Sequence, residues 1–192
     1  MLARTPKYGN DDDKVDALAV EITDFLRRLC QPFRTYWGDA VVPGFFTWIV
    51  HEGMGRETRA SADGRTAGFP MADGSGPAQG RERLGPTAMV RSVTKWDHSP
   101  MIGGIAVNMR FQPGREPDDI VAPMQQVLET FMTLGGFEAQ VNVVNNATLL
   151  DAQAHPENHR DLTVRVAGYS DYFVSLSREL QDAIISRSEL TF

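Results

Sequence analysis

The C-terminal half of the chain alternates short strand-like segments with helix-like segments, and this alternation restricts the fold more than any other feature. Strand patterns occupy residues 104–111 (GIAVNMRF), 139–144 (AQVNVV) and 162–166 (LTVRV). Such alternation is typical of an α/β fold with mainly parallel strands. A parallel sheet needs cover on both faces, and so few strands form only an incomplete one. The sequence therefore predicts part of something larger.

Helix signals lie between and after these strands. A short helix is predicted at 87–93, a longer one from about Asp118 to Leu134, ended by two glycines, and another in NATLLDAQAH, stopped before Pro156. Ser177, with Glu179 in the first turn, predicts the start of a final helix.

The N-terminal half predicts a helix, a strand and a long irregular segment. Apolar residues recur at three- and four-residue steps from Val15 to Leu29, which predicts an amphipathic helix behind an acidic run. The run FFTWIV at 45–50 predicts a buried strand. Residues 51–86 form a Gly/Pro-rich loop region without periodicity, which is typical of a functional or disordered segment.

Composition excludes several classes of function. The 192 residues carry a net charge of −6 and show no cluster of Lys and Arg among aromatics, which argues against nucleic acid. No apolar run is long enough for a membrane span, and the N-terminus lacks the apolar centre of a signal peptide. A single cysteine, Cys30, excludes an intrachain disulfide and a cysteine-held metal cluster. We expect a soluble cytoplasmic protein.

Several polar residues are candidates for function, each with a structural alternative. His51 and His98 flank the Gly-rich region and could contact substrate or serve as buried structural histidines. Asp63 and Arg65 could face substrate or pair within a turn. His155 and His159 have a helical spacing suited to metal, but Pro156 lies between them, so no metal site is predicted.

The stretch RVAGYSDYF at 165–173 places a glycine between β-forming residues and aromatics. In isolation it indicates a tight turn, since glycine tolerates positive φ. The longer segment VRVAGYSDYFVSLSRELQDAIISR, however, closely resembles the glycyl-radical signature of the glycyl radical enzymes. That family includes pyruvate formate-lyase and the dehydratases and lyases acting on glycerol, propanediol, choline and hydroxyproline.

The resemblance extends through nearly the whole chain. TPKYGNDDD resembles the helix entry before the second half of those enzymes, and ASADGRTAGFPMADG resembles their Asp-Gly-Arg loop. NVVNNATLLDAQAHPENHRDLTVRV resembles the segment that leads into the radical loop. The tail after the glycine resembles the dehydratase and lyase branch, and differs from pyruvate formate-lyase.

The resemblance implies a role for the glycine and a fold. Gly168 would be the radical residue, with Arg165, Val166, Ala167, Tyr169 and Ser170 supporting its loop. Residues 1–192 would form the C-terminal part of a ten-stranded α/β barrel, with 146–192 as the glycyl radical finger segment. No cofactor would be bound, because the radical is installed by a separate activating enzyme that uses S-adenosylmethionine and an iron–sulfur cluster.

The resemblance also implies that catalysis needs a second portion. In the family the glycyl radical takes hydrogen from a cysteine in a Gly-Cys-x-Glu loop, which is absent here, and Cys30 is expected to be structural. The chain is then the radical-bearing portion of an anaerobic, oxygen-sensitive lyase that eliminates water, an amine or sulfite, with carbon–carbon cleavage less favoured. The alternatives are a non-catalytic subunit or spare part that docks onto a catalytic partner, and a truncated remnant without activity. The full enzyme is expected to be a homo-oligomer, and its substrate stays open.

Overall fold

A computed structural model describes residues 4–47, 50–72, 74–187 and 189–190. These residues form a mixed α/β structure, as the sequence predicts. Its helices and strands are, in chain order, α1 (Asp13–Cys30), α2 (Val50–Glu57), α3 (Gly85–Val93), β1 (Val107–Phe111), α4 (Val121–Thr133), β2 (Ala139–Val143), α5 (Asn146–Ala154), β3 (Thr163–Arg165), β4 (Ser170–Tyr172) and α6 (Arg178–Ser186).

The described strands pair in two separate two-stranded sheets. β1 and β2 are parallel, in register from Val107 opposite Ala139 to Phe111 opposite Val143, and α4 connects them. β3 and β4 form an antiparallel hairpin in which Arg165 lies opposite Ser170. The expectation of mainly parallel strands is therefore confirmed for β1–β2 and wrong for the hairpin, because the short segment between the turn and α6 pairs back onto β3 as a strand. Within the described residues no closed barrel is present.

α4 begins and ends as the sequence predicts. A 3-10 turn with a reciprocal cap between Glu116 and Asp119 precedes the helix. Gly135, at φ +90°, follows it, and Gly136 packs so closely on the Phe131 ring that a Cβ there would lie 2.4 Å from it. Since only glycine fits this contact, the pair both ends the helix and seals the core beneath it.

Two apolar clusters make up most of the core, and polar side chains lie between them. The first cluster joins α3, β1 and α4, and the second joins α5, the β3–β4 hairpin and α6. Val141 of β2 packs against the first cluster, whereas its neighbours Gln140 and Asn142 are buried on the opposite face of the strand. The second cluster with its hairpin is thus attached through hydrogen bonds across a polar seam.

The predicted strand at residues 45–50 is wrong in the part that the structure describes. Phe45 makes one isolated parallel bridge with Ile105, Val50 already begins α2, and Trp48 and Ile49 lie outside the described residues. α2 also occupies the start of the 51–86 region. Its Gly55 lies against the backbone of Phe69, where a Cβ would approach the carbonyl oxygen to 2.4 Å. Glycine is therefore required here by packing inside a helix, whereas in the sequence it looks like part of an irregular loop.

α1 is confirmed, and it packs with its polar side inward. Asp12 caps it by accepting N–H bonds from Lys14 and Val15. Asp16, 1% exposed, bonds Ser92 and the Lys95 ammonium of the segment that contains α3.

The outer face of α1 carries apolar residues that we call the apolar stripe. Its residues follow one another at three- and four-residue steps and are 49–56% exposed: Leu18, Ile22, Phe25 and Leu29. Along the part of the chain that the structure describes, no helix has the length and apolar character needed to cross a membrane.

Candidate functional site

Gly168 lies in the tight turn that joins β3 to β4. Its φ is +83°, in the left-handed region that favours glycine. The turn is closed by the Val166 N–H, which donates to the Tyr169 carbonyl at 2.8 Å. Val166 and Ala167 are fully buried, and Gly168 is partly buried. Gly168 therefore lies at the tip of the hairpin in a left-handed conformation, and the two residues before it are buried.

Two side chains of β2 bind this hairpin. Their hydrogen bonds replace the backbone ladder that would join β2 to β3 in a continuous sheet. The Asn142 amide pairs with Arg165 in both directions, accepting its N–H at 2.6 Å and donating to its carbonyl at 2.7 Å. Gln140, two residues earlier on the same face, accepts the Gly168 N–H at 2.7 Å through Oε1. The spacing of two residues along β2 thus sets the position of the Gly168 amide.

Arg187, directly after α6, holds the hairpin from the other side. Its guanidinium donates to the Val166 carbonyl at 2.6 Å and to the Arg165 carbonyl at 3.1 Å. Arg110 of β1 in turn donates to the Arg187 carbonyl and to Ile185, at the end of α6. The backbone on both sides of Ala167 is therefore anchored by buried polar groups.

The outer residues of the hairpin contribute less. The Arg165 guanidinium reaches the Ser170 hydroxyl only at 3.5 Å. Tyr169 packs against the second apolar cluster, and burial raises the pKa of its hydroxyl, while Tyr172 is exposed. Neither hydroxyl has a charged hydrogen-bond partner among the contacts described, which favours packing over redox chemistry.

Comparison with known proteins identifies the family. A family model described as glycine radical matches residues 71–174, and one described as pyruvate formate lyase-like matches residues 1–55. The chain belongs to the glycine radical family. The first match contains Gly168 and its turn.

Two similar relatives are named as a probable dehydratase and a dehydratase. The chain is 40% identical over 197 residues to the probable dehydratase YbiW of Escherichia coli (strain K12), covering 98% of this chain and 24% of that protein. It is 37% identical to the trans-4-hydroxy-L-proline dehydratase of Clostridioides difficile, covering 98% of this chain and 24% of the relative. The chain thus spans about a quarter of the length of these relatives.

A solved structure supports the same assignment. The glycerol-bound form of the B12-independent glycerol dehydratase from Clostridium butyricum superposes with a TM-score of 0.92 at 37% identity. The match covers 100% of this chain and 24% of that one. The fold of this member of the glycine radical family is accordingly that of one quarter of a larger enzyme.

The Asp-Gly-Arg loop of this family member is a separate structure. Arg65 donates to the carbonyls of Arg59 at 2.6 Å and Phe69 at 2.8 Å, which closes the loop. Asp63 accepts from Ser61 at 2.5 Å, and this bond is the main cause that lowers the pKa of its carboxyl. Both residues line a cavity of about 220 Å³, and none of the residues of the Gly168 turn lines it. Local pairing therefore accounts for them.

The two histidines beside the Gly-rich region are buried. The His51 side chain is inaccessible within α2, and its carbonyl accepts the Met71 N–H. His98 donates through Nε2 to the Val93 carbonyl at 2.8 Å, accepts the Phe137 N–H at Nδ1, and stacks on Trp96 with ring centroids 4.0 Å apart. These contacts fix a neutral tautomer and make His98 structural.

Acidification should destabilise the protein through His98. Burial is the main cause that lowers its pKa, so the folded state resists a proton that the unfolded chain accepts near the ordinary value of about 6.5. Its contribution to stability is present above that value and is lost as the pH falls below it. Denaturant titrations from pH 7.5 to 5 should show a falling free energy of unfolding.

The matched control is His155, which is exposed. The decline between pH 6.5 and 5 should flatten in His98→Phe and persist in His155→Gln. Carboxyl groups with lowered pKa, such as Asp63 and Asp97, act only at lower pH. An identical pH dependence in His98→Phe and the native chain would contradict the assignment.

The two remaining histidines share one carboxylate partner. His155 and His159 both bond Asp151, at 3.0 and 2.6 Å, and these bonds are the main cause that lowers the pKa of Asp151. Among the described residues no group of three or more His, Cys, Asp or Glu side chains is arranged to hold a metal ion. Cys30, the last residue of α1, is partly buried.

Sequence reasoning missed Gln140, Asn142 and Arg187, which hold the turn of Gly168. The two amides alternate with valines in AQVNV, a pattern that ordinarily indicates a strand with one solvated face. Both are buried instead. The feature of the sequence that could have indicated this role is the amide side chain itself. An amide carries both a donor and an acceptor, so it can make the hydrogen bonds that a neighbouring strand would otherwise make.

Proposed function

We propose that this chain is the C-terminal glycyl-radical portion of an anaerobic dehydratase or lyase, and that Gly168 stores the radical. The observation that carries the proposal is the conformation of Gly168, which has φ +83° in a turn whose preceding residues are buried. This turn lies within the segment that the glycine radical family model matches. Its amide and the neighbouring carbonyls are held by side chains, so the α-carbon has a fixed environment.

The chemistry requires glycine. Removing one α-hydrogen leaves an unpaired electron that spreads onto the flanking amide nitrogen and carbonyl when these atoms are coplanar. A Cβ would crowd that plane, and at φ +83° it would also strain the backbone. Glycyl radical enzymes are activated by a separate enzyme with S-adenosylmethionine and an iron–sulfur cluster, and we propose such an activating enzyme as the partner that removes the hydrogen.

A catalytic portion supplies the rest of the reaction. Cys30, the single cysteine, ends α1 and has no Gly-Cys-x-Glu context, so we propose that the thiyl radical forms on a cysteine of another portion or subunit. The relatives' length and the apolar stripe support this, since α1 leaves Leu18, Ile22, Phe25 and Leu29 about half exposed. The complete α/β barrel would form when that portion covers the stripe.

The proposed reaction is radical elimination from a small polar substrate. Loss of water is favoured because the relatives named above are dehydratases. Loss of an amine or sulfite stays within the same class. The substrate itself depends on side chains outside this chain, and a fold alone does not identify it.

The proposal is tested by electron paramagnetic resonance under strictly anaerobic conditions. The chain, alone and mixed with the catalytic portion of a related dehydratase, is treated with an activating enzyme and S-adenosylmethionine. We expect a doublet from the remaining α-hydrogen, further split when the chain is grown on glycine labelled with ¹³C at the α-carbon. A signal without the additional ¹³C splitting, or the absence of a signal in the mixed sample, would refute the proposed function of Gly168.

The same samples address the alternative of a docking subunit. If activity appears only after mixing two separately made chains, the spare-part function is supported. Activity that requires both portions in one polypeptide supports the fragment of a longer enzyme.

A further inference from the structure

Gln140 is the only side chain of the described contacts that bonds the Gly168 amide. Its Oε1 accepts the Gly168 N–H at 2.7 Å, and the residue is 3% exposed. The other end of the amide is also committed, because Nε2 donates to Glu138 Oε1 at 2.8 Å. A carboxylate accepts and does not donate, so Glu138 orients the amide with its oxygen towards Gly168.

This contact acts on the atom that shares the unpaired electron. Resonance between the amide nitrogen and the α-carbon requires the N–H bond to lie in the plane of the radical centre, and glycine is the residue least able to hold a plane by itself. In the resting turn φ is +83°, so the amide is turned well out of that plane and overlap requires rotation about the N–Cα bond. The buried bond to Gln140 limits this rotation and so sets how much overlap the radical reaches. It also draws on the N–H proton and so leaves more electron density on nitrogen for the electron-poor α-carbon.

We propose that Gln140, oriented by Glu138, is a positioning residue that sets the plane and spin distribution of the glycyl radical. This inference rests on the proposed function of Gly168. Gln181 of α6 is the matched control, because it is also a buried glutamine, but its amide donates to the carbonyls of Phe173 and Leu176 and not to the turn.

The test compares radical spectra of variants in ordinary and heavy water. Gln140→Met keeps the length of the side chain and removes the acceptor. We expect an altered splitting from the exchangeable amide proton, because the freed N–H can rotate relative to the plane of the radical centre. Gln181→Met makes the same substitution away from the turn, and it should lower the melting temperature and leave the spectral shape of the native chain.

Reversing the pair should rescue the spectrum. In Glu138→Gln/Gln140→Glu the donor and acceptor exchange places, and a carboxylate oxygen still faces the Gly168 N–H. If Gln140→Met does not fold, Glu138→Leu removes only the orienting group, from a partly buried position, and should alter the spectrum in the same direction.

The outcomes separate the two proposals. A native chain without any radical refutes the function of Gly168 and this inference with it. A normal native radical with an unchanged spectrum in both Gln140→Met and Glu138→Leu overturns the inference alone. In the resting chain, exchange of the Gly168 amide measured by NMR should be about tenfold faster in Gln140→Met, and an unchanged rate would also overturn it.

Discussion

Air should cut the activated chain at Gly168 into two pieces. Dioxygen couples with a carbon-centred radical at the diffusion limit, and the peroxyl group so formed on the α-carbon leads to breakage of the backbone at that residue. The turn leaves Gly168 partly exposed within this chain, so oxygen can reach it. Mass spectrometry of the activated sample after aeration should show fragments whose masses place the break at residue 168, in proportion to the spin measured beforehand.

The control uses a second glycine with the same conformation. Gly135 has φ +90° and open space where a Cβ would lie, so Gly135→Ala introduces the same left-handed strain as Gly168→Ala. Gly168→Ala should abolish both the doublet and the cut, a loss of essentially the whole signal, while Gly135→Ala should retain them. Cleavage in Gly168→Ala, or an intact native chain after aeration of a sample with measured spin, would place the radical elsewhere.

Helix boundaries could be predicted from the sequence because their signals are local. Ser177 caps α6 by accepting the Leu180 N–H, and the glycines after α4 end that helix, each through atoms within a few residues of one another. The predicted segments of α1, α4, α5 and α6 are confirmed for this reason. The turn at Gly168 was likewise selected as a candidate from one continuous stretch, which lies within the residues that the glycine radical family model matches.

The support of the turn could not be predicted in this way because it is assembled from distant segments. Asn142 contacts Arg165 across 23 residues and Gln140 contacts Gly168 across 28. Alternating amides and valines in β2 indicate a solvated face when a sheet is assumed to end in water. Here the polar face of β2 meets the β3–β4 hairpin. The alternation of polar and apolar residues alone does not distinguish a solvated face from one that is hydrogen-bonded to another part of the protein.

The same limit explains α1. Its amphipathic period predicts a helix, but the direction of its apolar face depends on what covers it. In the described residues the apolar stripe faces outward and Asp16 faces inward, where Lys95 bonds it at 2.8 Å. Lys95 also pairs with Asp11 and Asp13, and these bonds raise the pKa of its ammonium despite its desolvation. A partly buried ion pair thus fixes the inner side of a helix whose apolar stripe is exposed in the described residues.

Arg110 should be the most sensitive structural residue of the seam. It is 2% exposed, donates to Asn146 Oδ1 at 2.7 Å and to the carbonyls of Ile185 and Arg187, and so brings positive charge to the negative end of α6. Burial lowers the pKa of its guanidinium, while the charge of Glu189 opposes that change. Its removal would leave three acceptors without this donor, of which the Arg187 carbonyl is buried and the other two are partly buried.

Arg110→Met should therefore lower the free energy of unfolding by roughly 3 kcal/mol or more, because unsatisfied buried groups cost about 1–3 kcal/mol each. Arg115→Met, at an exposed position, should change it by less than about 0.5 kcal/mol. Denaturant titration provides the comparison, and a cost below about 1 kcal/mol for Arg110→Met would contradict it. Since Arg187 joins the end of α6 to Val166, the loss should spread to the turn. Amide exchange at Val166 should then increase more than exchange at Val127, which lies in the first apolar cluster on the other side of the seam.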